Sequence, residues 1–441
     1  MKKILRIFIL LSVFSLAWSC TDDVVFGYDN SGNGPVRPHG NQGQEQHQEG
    51  HEEGQEQNNP PVVEEFTSAA EAVKNMGAGW NLGNTLDSNS GDTEHMWIEA
   101  YGRKVTPKDY ETAWGQPVTT KALIHMFKTA GFGAIRVPVT WYPHMGKLTL
   151  HDNEKWDMAT GWQGTDVDEA WMNRVQEIVD YVIDEGMYCI LNVHHDTGAA
   201  STAWLIAGEE GFEAAKERYQ ALWKQIAVRF KDYGPRLLVE SYNEMLDKYD
   251  SWCFATFASP ARYDAADAES AYKGINSYAK LFVETVRSTG GNNAERNLVV
   301  NTYGACSGDG TWNSHLLDPL KNMDLPEYTT PGHIAIQVHS YWETAKFGTS
   351  MQNDVDLLFS NLDTFIVKRL GAPVIIGEWG DSGSATDDQI AKFSQYFCTK
   401  AKENAVAPFM WMCLSDGKDR ETPKWTMPKT KDAIISAYKN Q

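Results

Sequence analysis

Cysteine is scarce in this chain, basic residues are outnumbered, and no glycine-rich phosphate loop follows the first strand-like run. There are six cysteines in 441 residues. Setting Cys20 aside, the other five (Cys189, Cys253, Cys306, Cys398 and Cys413) have a spacing that matches neither a metal site nor a disulfide scaffold. Cys189 and Cys413 fall inside strand-like runs, where thiols are expected to act as small hydrophobes. Thirty-nine Lys and Arg face 59 Asp and Glu, a net charge of −20. That charge repels nucleic acid and anionic lipid surfaces, so neither is expected as a partner; a neutral polymer such as a polysaccharide is not repelled. The missing Gly-x-Gly-x-x-Gly turn speaks against an open, dinucleotide-binding sheet. The apolar run from Ile7 to Ala17 is too short to span a bilayer as a helix.

Residues 1–20 nevertheless have an export pattern. Lys2, Lys3 and Arg6 precede the apolar run, which ends at Ala17-Trp18-Ser19-Cys20. This resembles a bacterial lipoprotein processing site, which implies cleavage before Cys20 and a lipid on its sulfur. Thr21-Asp22-Asp23 resembles the acidic signal by which some Gram-negative lipoproteins reach the outer face of the outer membrane. Contact with the membrane would then be through the lipid anchor alone; the alternative is a plain secretory peptide and a secreted or periplasmic protein. Residues 21–65, rich in Gln, Glu and Gly, cannot build a core and read as a solvated tether. His39, His47 and His51 within it read as spacer residues.

From residue 66 to 441 the chain alternates. Eight β-rich runs (76–82, 134–139, 187–193, 237–242, 297–302, 333–339, 373–378 and 407–412) are separated by stretches of helical periodicity at 119–130, 168–185, 212–232, 266–288, 353–370 and 387–403, with a weak one at 313–322 and a last at 430–439. Alternating elements imply parallel strands with helices outside. Eight repeats predict an α/β fold of the (β/α)8 barrel type, one domain with long loops. Polar or aromatic residues stand at every strand end, among them Trp80 and Asn81, Arg136, His194, Asn243 and Glu244, His339 and Tyr341, Glu378, and Trp411. A barrel gathers such ends into one pocket. Glu244 and Glu378, 134 residues apart, are both carboxylates ending apolar runs, and a pair of carboxylates suffices to cleave a glycosidic bond.

The segments Gly77-Ala-Gly-Trp-Asn-Leu-Gly-Asn-Thr85, Glu111-Thr-Ala-Trp-Gly115, Gly131-Phe-Gly-Ala-Ile-Arg136, Asn192-Val-His194-His195, Asn243-Glu244, His339-Ser-Tyr341, Gly377-Glu378-Trp379-Gly380 and Trp411 together resemble glycoside hydrolase family 5. They are most similar to its branch of endo-β-1,4-glucanases, xyloglucanases and mixed-linkage glucanases. The resemblance implies a retaining enzyme with Glu244 as acid/base and Glu378 as nucleophile. Arg136 would keep Glu378 ionised, with Tyr341 hydrogen-bonding it. Asn243 would bind the sugar 2-hydroxyl, and His194 and His339 would bind hydroxyls or orient the glutamates. Trp411 would form the floor under the sugar. Trp80, Asn81, Trp204 and Trp342 are further expected substrate contacts.

No cofactor and no metal are expected. Adjacent histidines on a strand point to opposite faces, so His194 and His195 do not readily share an ion. The expected partner is a β-glucan polysaccharide or oligosaccharide, bound by a monomer. Two alternatives stay open: a non-catalytic glycan-binding lipoprotein on the same barrel, and a mannanase or xylanase of the same clan.

Overall fold

The computed structural model describes residues 65–88, 106–147, 163–199, 203–251, 263–309, 314–326 and 331–439. The export segment and most of the tether lie outside them. Eight parallel strands close into a barrel: β1 (Gly79–Asn81), β2 (Ala134–Val137), β3 (Tyr188–Asn192), β4 (Leu237–Glu240), β5 (Leu298–Cys306), β6 (Ile334–Trp342), β7 (Val374–Asp381) and β8 (Ala407–Met410), with β1 paired to β8. Each expected run holds a strand, but those at 297–302, 333–339 and 373–378 stop before theirs, which continue to Cys306, Trp342 and Asp381. The helices α1 (Lys121–Ala130), α2 (Glu169–Asp184), α3 (Glu209–Arg229), α4 (Ala265–Ser288), α5 (Asp318–Lys321), α6 (Thr349–Leu362), α7 (Asp387–Glu403) and α8 (Pro428–Lys439) follow the strands in turn. The chain is thus a (β/α)8 barrel.

Local chemistry sets the helix starts. The Thr120 hydroxyl accepts the Leu123 N–H, Asp168 accepts that of Ala170, and Asp264 those of Ala266 and Asp267. Each satisfies a donor that the first turn leaves unpaired. The weak fifth helix is one turn, opened by Pro319. A hairpin (Met145–Lys147 with Gln163–Val167) and a helix before the barrel, Ala69–Met76, were not anticipated. Cys306 lies in a disulfide, which the cysteine spacing did not announce.

Strand alternation divides the core in two. Inward residues of the lower barrel (Ala134, Ile190, Leu238, Val299, Ala335, Ile375 and Phe409) pack with Ala69, Ala72, Val73 and Met76 of the helix that closes the bottom. Outward residues such as Trp80, Ile135, Leu191, Val239 and Trp379 pack under the helices. Two residues further along five of the strands, the inward positions turn polar: Arg136, Asn192, Glu240, Asn301 and Gln337. A barrel sealed by apolar layers below therefore carries a buried polar layer beneath its top.

Candidate functional site

The site is built on that polar layer, and Arg136 is its hub. The Arg136 side chain is fully buried, and all five of its N–H groups are used. Nε donates to Glu240 Oε2 at 2.7 Å and Nη2 to Glu240 Oε1 at 2.8 Å. Nη2 also donates to Asn243 Oδ1 at 2.7 Å. Nη1 donates to Asn81 Oδ1 at 3.0 Å and to Glu378 Oε1 at 2.8 Å. A guanidinium removed from water needs such complete pairing. It has no donor left for a sugar, so Arg136 acts through its partners and is not itself a substrate contact.

Glu378 stands on β7 just after an irregularity. Val338 pairs with Ile376 but His339 pairs with Glu378, leaving Gly377 as the extra residue. A bulge of this kind re-aims the side chain that follows it. Glycine is needed there because a Cβ would come within 2.3 Å of the Gln337 amide carbon. Glu378 Oε2 accepts the Tyr341 hydroxyl at 2.7 Å. Burial pushes the Glu378 carboxyl up; His339, Arg136 and Tyr341 oppose the rise and Glu244 adds to it. Burial also holds the Tyr341 phenol far above its usual range, so it stays a donor.

Glu244 lies four residues past the end of β4. Asn301 holds the approach, its Nδ2 donating to the Asn243 carbonyl at 3.1 Å, and the Gly304 N–H is bonded to the Met245 carbonyl. The Glu244 side chain keeps 18 % exposure. Desolvation by its surroundings still pushes its carboxyl up to about 7, with only the charge of Arg136 opposing. Glu244 Oε1 is 2.7 Å from His339 Nδ1. One oxygen each of Glu244 and Glu378 lie within 4.8 Å of one another. The two carboxyls thus share one small space in different surroundings: Glu378 meets two direct donors, one of them a permanent cation, while Glu244 meets a histidine that burial keeps neutral, its value lowered to about 4.

The other expected residues divide. His194 Nδ1 accepts from Asn192 Nδ2 at 3.0 Å, because the Asn192 amide is oriented by its Oδ1 accepting the Val139 N–H. The neutral ring therefore carries its proton on Nε2, 3.9 Å from Glu378 Oε1. The Trp411 ring lies parallel to that of His194, 4° between planes and 5.7 Å between centroids. It rests on Gly83, where a Cβ would approach it to 2.8 Å. Trp204 is partly exposed and anchored, its Nε1 donating to Asp196 Oδ1 at 2.7 Å.

Three expected substrate contacts need correction. Trp80 is fully buried, stacked on Phe127, with its Nε1 bonded to the Met412 carbonyl. Asn81 is consumed by Arg136 and by the carbonyls of Gly377, Phe409 and Met410. Trp342 packs against Phe393 and Phe397 in the outer core. Each tryptophan neighbours an inward residue and so faces outward.

Glu240 and Asn301 were not singled out and Asn192 was given no role of its own, although each interrupts an apolar run at an inward position. His194 and His195 are not held on opposite faces of a strand. Strand β3 ends at Asn192, so alternation no longer separates them. Donor atoms of Asp87, His194 and His195 lie within 4.8 Å of one another; among the described residues this group and Glu244, His339 and Glu378 are the two able to surround an ion. In both, the oxygens are already engaged: Asp87 accepts the N–H groups of Asn84 and Thr85, and Glu378 accepts an N–H of Arg136 and the O–H of Tyr341.

A barrel with two carboxylates facing each other at its C-terminal rim is shared by many hydrolases, and comparison decides among them. A profile described as Cellulase (glycosyl hydrolase family 5) matches residues 98–417. The chain belongs to this family. Endoglucanase A of Clostridium longisporum is 32 % identical over 399 residues, covering 87 % of this chain and 68 % of that protein. Among solved structures, a GH5-4 broad specificity endoglucanase from an uncultured bacterium is 46 % identical, with a TM-score of 0.76, covering 87 % of this chain and 98 % of that one. A family 5 enzyme from Prevotella bryantii, solved with a xyloglucan tetradecasaccharide, is 38 % identical, with a TM-score of 0.70, covering 85 % and 99 %. As a family 5 member the protein is a cellulase-type glycoside hydrolase.

Proposed function

We propose that the protein is a retaining endo-β-1,4-glucanase, with Glu378 as nucleophile and Glu244 as acid/base. The observation that carries this reading is the close, unequal pair. An oxygen–oxygen separation within 4.8 Å is nearer the roughly 5–5.5 Å between carboxyls of retention than the roughly 6.5–9.5 Å of inversion. In the first step Glu378 Oε attacks the anomeric carbon while the Glu244 proton passes to the departing glycosidic oxygen. In the second, Glu244 takes a proton from water, the water oxygen attacks the same carbon, and the Glu378 carboxylate leaves. His194 Nε2–H and the Asn243 amide, whose oxygen is held by Arg136, supply donors for sugar hydroxyls, and Trp411 supplies an apolar face for the pyranose.

The names of its relatives support a β-1,4-linked glucan substrate: cellulose, mixed-linkage glucan, xyloglucan or glucomannan. Residues 1–20 serve as a lipoprotein signal, 21–65 as a tether and 66–441 as the catalytic domain, placing a monomer on the outer cell surface through lipid at Cys20. Loss of labelled fatty acid from a Cys20→Ala variant tests the anchor. For the chemistry, Glu378→Ala should lower hydrolysis of soluble glucan by several orders of magnitude, and azide should restore turnover of an activated aryl glycoside with inverted product. Near-normal hydrolysis by that variant would remove Glu378 from the mechanism; no reducing-sugar release by the wild type on any of the four polymers would favour a non-catalytic glycan binder.

A further inference from the structure

Glu240 is a second glutamate of the β4 segment, four residues before Glu244, fully buried and out of reach of any substrate. Its Oε1 accepts from Arg136 Nη2, from Asn192 Nδ2 at 3.2 Å and from Asn301 Nδ2 at 3.3 Å, and its Oε2 from Arg136 Nε. It takes the two-pronged face of the guanidinium, the geometry in which arginine binds a carboxylate best. Glu378 is left a single bond from Nη1.

That division has an electrostatic consequence. A lone buried cation beside Glu378 would hold it as a poorly basic, weakly nucleophilic carboxylate. With Glu240 paired to the same cation, most of that charge is cancelled where Glu378 meets it. We propose that Glu240 is a positioning residue that sets the charge balance of the carboxyl pair: it orients Arg136 and offsets its charge, so that Arg136 steadies Glu378 without quenching it. The proposal rests on Glu378 and Glu244 being the reacting pair. The charged and titratable groups around them are Arg136 on β2, His194 beyond β3, His339 and Tyr341 on β6, and the two glutamates themselves. Glu240 is the one anion of this group that does not take part in the reaction.

The test is the pH profile of kcat/KM on soluble mixed-linkage glucan. Its acid limb reports the nucleophile and its basic limb the proton donor. Glu240→Gln removes one negative charge and makes the surroundings of both carboxyls more positive. Both limbs should therefore move to lower pH, by about one unit, with a lower maximum rate. Glu240→Asp keeps the charge but draws it back from Arg136; its limbs should move the same way by less, and it carries the test if the Gln variant does not fold. Folded variants that lose rate while both limbs stay in place would show a packing role only and overturn the proposal. A wild type without a measurable profile would instead sink the hydrolase reading beneath it.

Discussion

Single side chains in this site owe their behaviour to what lies directly beneath or beside them. Glu244 is the simplest case. Its carboxyl is raised to about 7 by desolvation, so it holds its proton below that pH and loses it above. If the proton is needed for the leaving oxygen, kcat/KM should fall as pH rises through about 7. Replacing Glu244 by Gln should remove that limb for an aryl glycoside whose leaving group needs no proton; a limb that persisted in the variant would belong to another residue. Trp411 is the second case. Its ring sits on Gly83 so closely that an added methyl would lie 2.8–2.9 Å from ring carbons. Gly83→Ala should tilt the ring out of its alignment with His194 and raise KM several-fold while leaving the melting temperature within a few degrees. An unchanged KM would mean that the ring is not a sugar platform.

At the scale of elements, the alternation of strands and helices was legible because all but the one-turn fifth helix carry a clear pattern of their own. The site was legible where polarity coincided with a strand end, as at Glu244, His339 and Glu378. It was not legible at Glu240, where a charge is embedded in Leu237-Leu238-Val239 and only its partner across the barrel explains it. Trp80 and Trp342 were misplaced because nearness to a strand end says nothing of which face a residue takes; strand alternation, applied at Asn81 and Tyr341, would have turned both outward. The hairpin within 145–167 has no such pattern to read. Arg296 shows how elements are joined at the opposite end of the barrel. Buried after α4, it donates to the carbonyls of Phe230 and Tyr233 beyond the end of α3, and to those of Gly234 and Leu237 at the start of β4. Burial lowers its value only to about 10, so it remains charged at neutral pH. Arg296→Met fills the space but takes a charged donor from four carbonyls, of which those of Phe230 and Leu237 are buried and costly to leave underpaired. A loss of about 3 kcal/mol or more is expected in urea denaturation, with turnover of the folded enzyme unchanged; a loss below about 1 kcal/mol would mean that water replaces the guanidinium.

For the molecule as a whole, the barrel buries acids and histidines together, and their effects on stability have opposite signs. Asp87 and Asp196 are raised to about 6 and about 7 by burial. Their contribution is greatest below the unfolded carboxyl value and is lost as pH rises through the folded one. His195 and His339 are lowered to about 4 and His144 and His194 well below their usual range, all chiefly by burial. Their contribution is present above the unfolded value of about 6.5 and is lost as pH falls, because the unfolded chain binds protons that the folded one refuses. Between about pH 4 and 6.5 the two sets offset each other, which should keep stability nearly level there. His144 allows the balance to be tipped without touching the site. It is buried on Trp171, with ring centroids 3.6 Å apart and 11° between planes, and its Nε2 has no hydrogen-bond partner among the described residues. Phenylalanine has a similar flat shape and binds no proton in either state. His144→Phe should therefore raise the melting temperature at pH 5 by more than at pH 8, where the histidine is neutral folded and unfolded alike. An equal change at both pH values would show that the histidine stays solvated in the folded protein, and that its burial takes no part in the acid response.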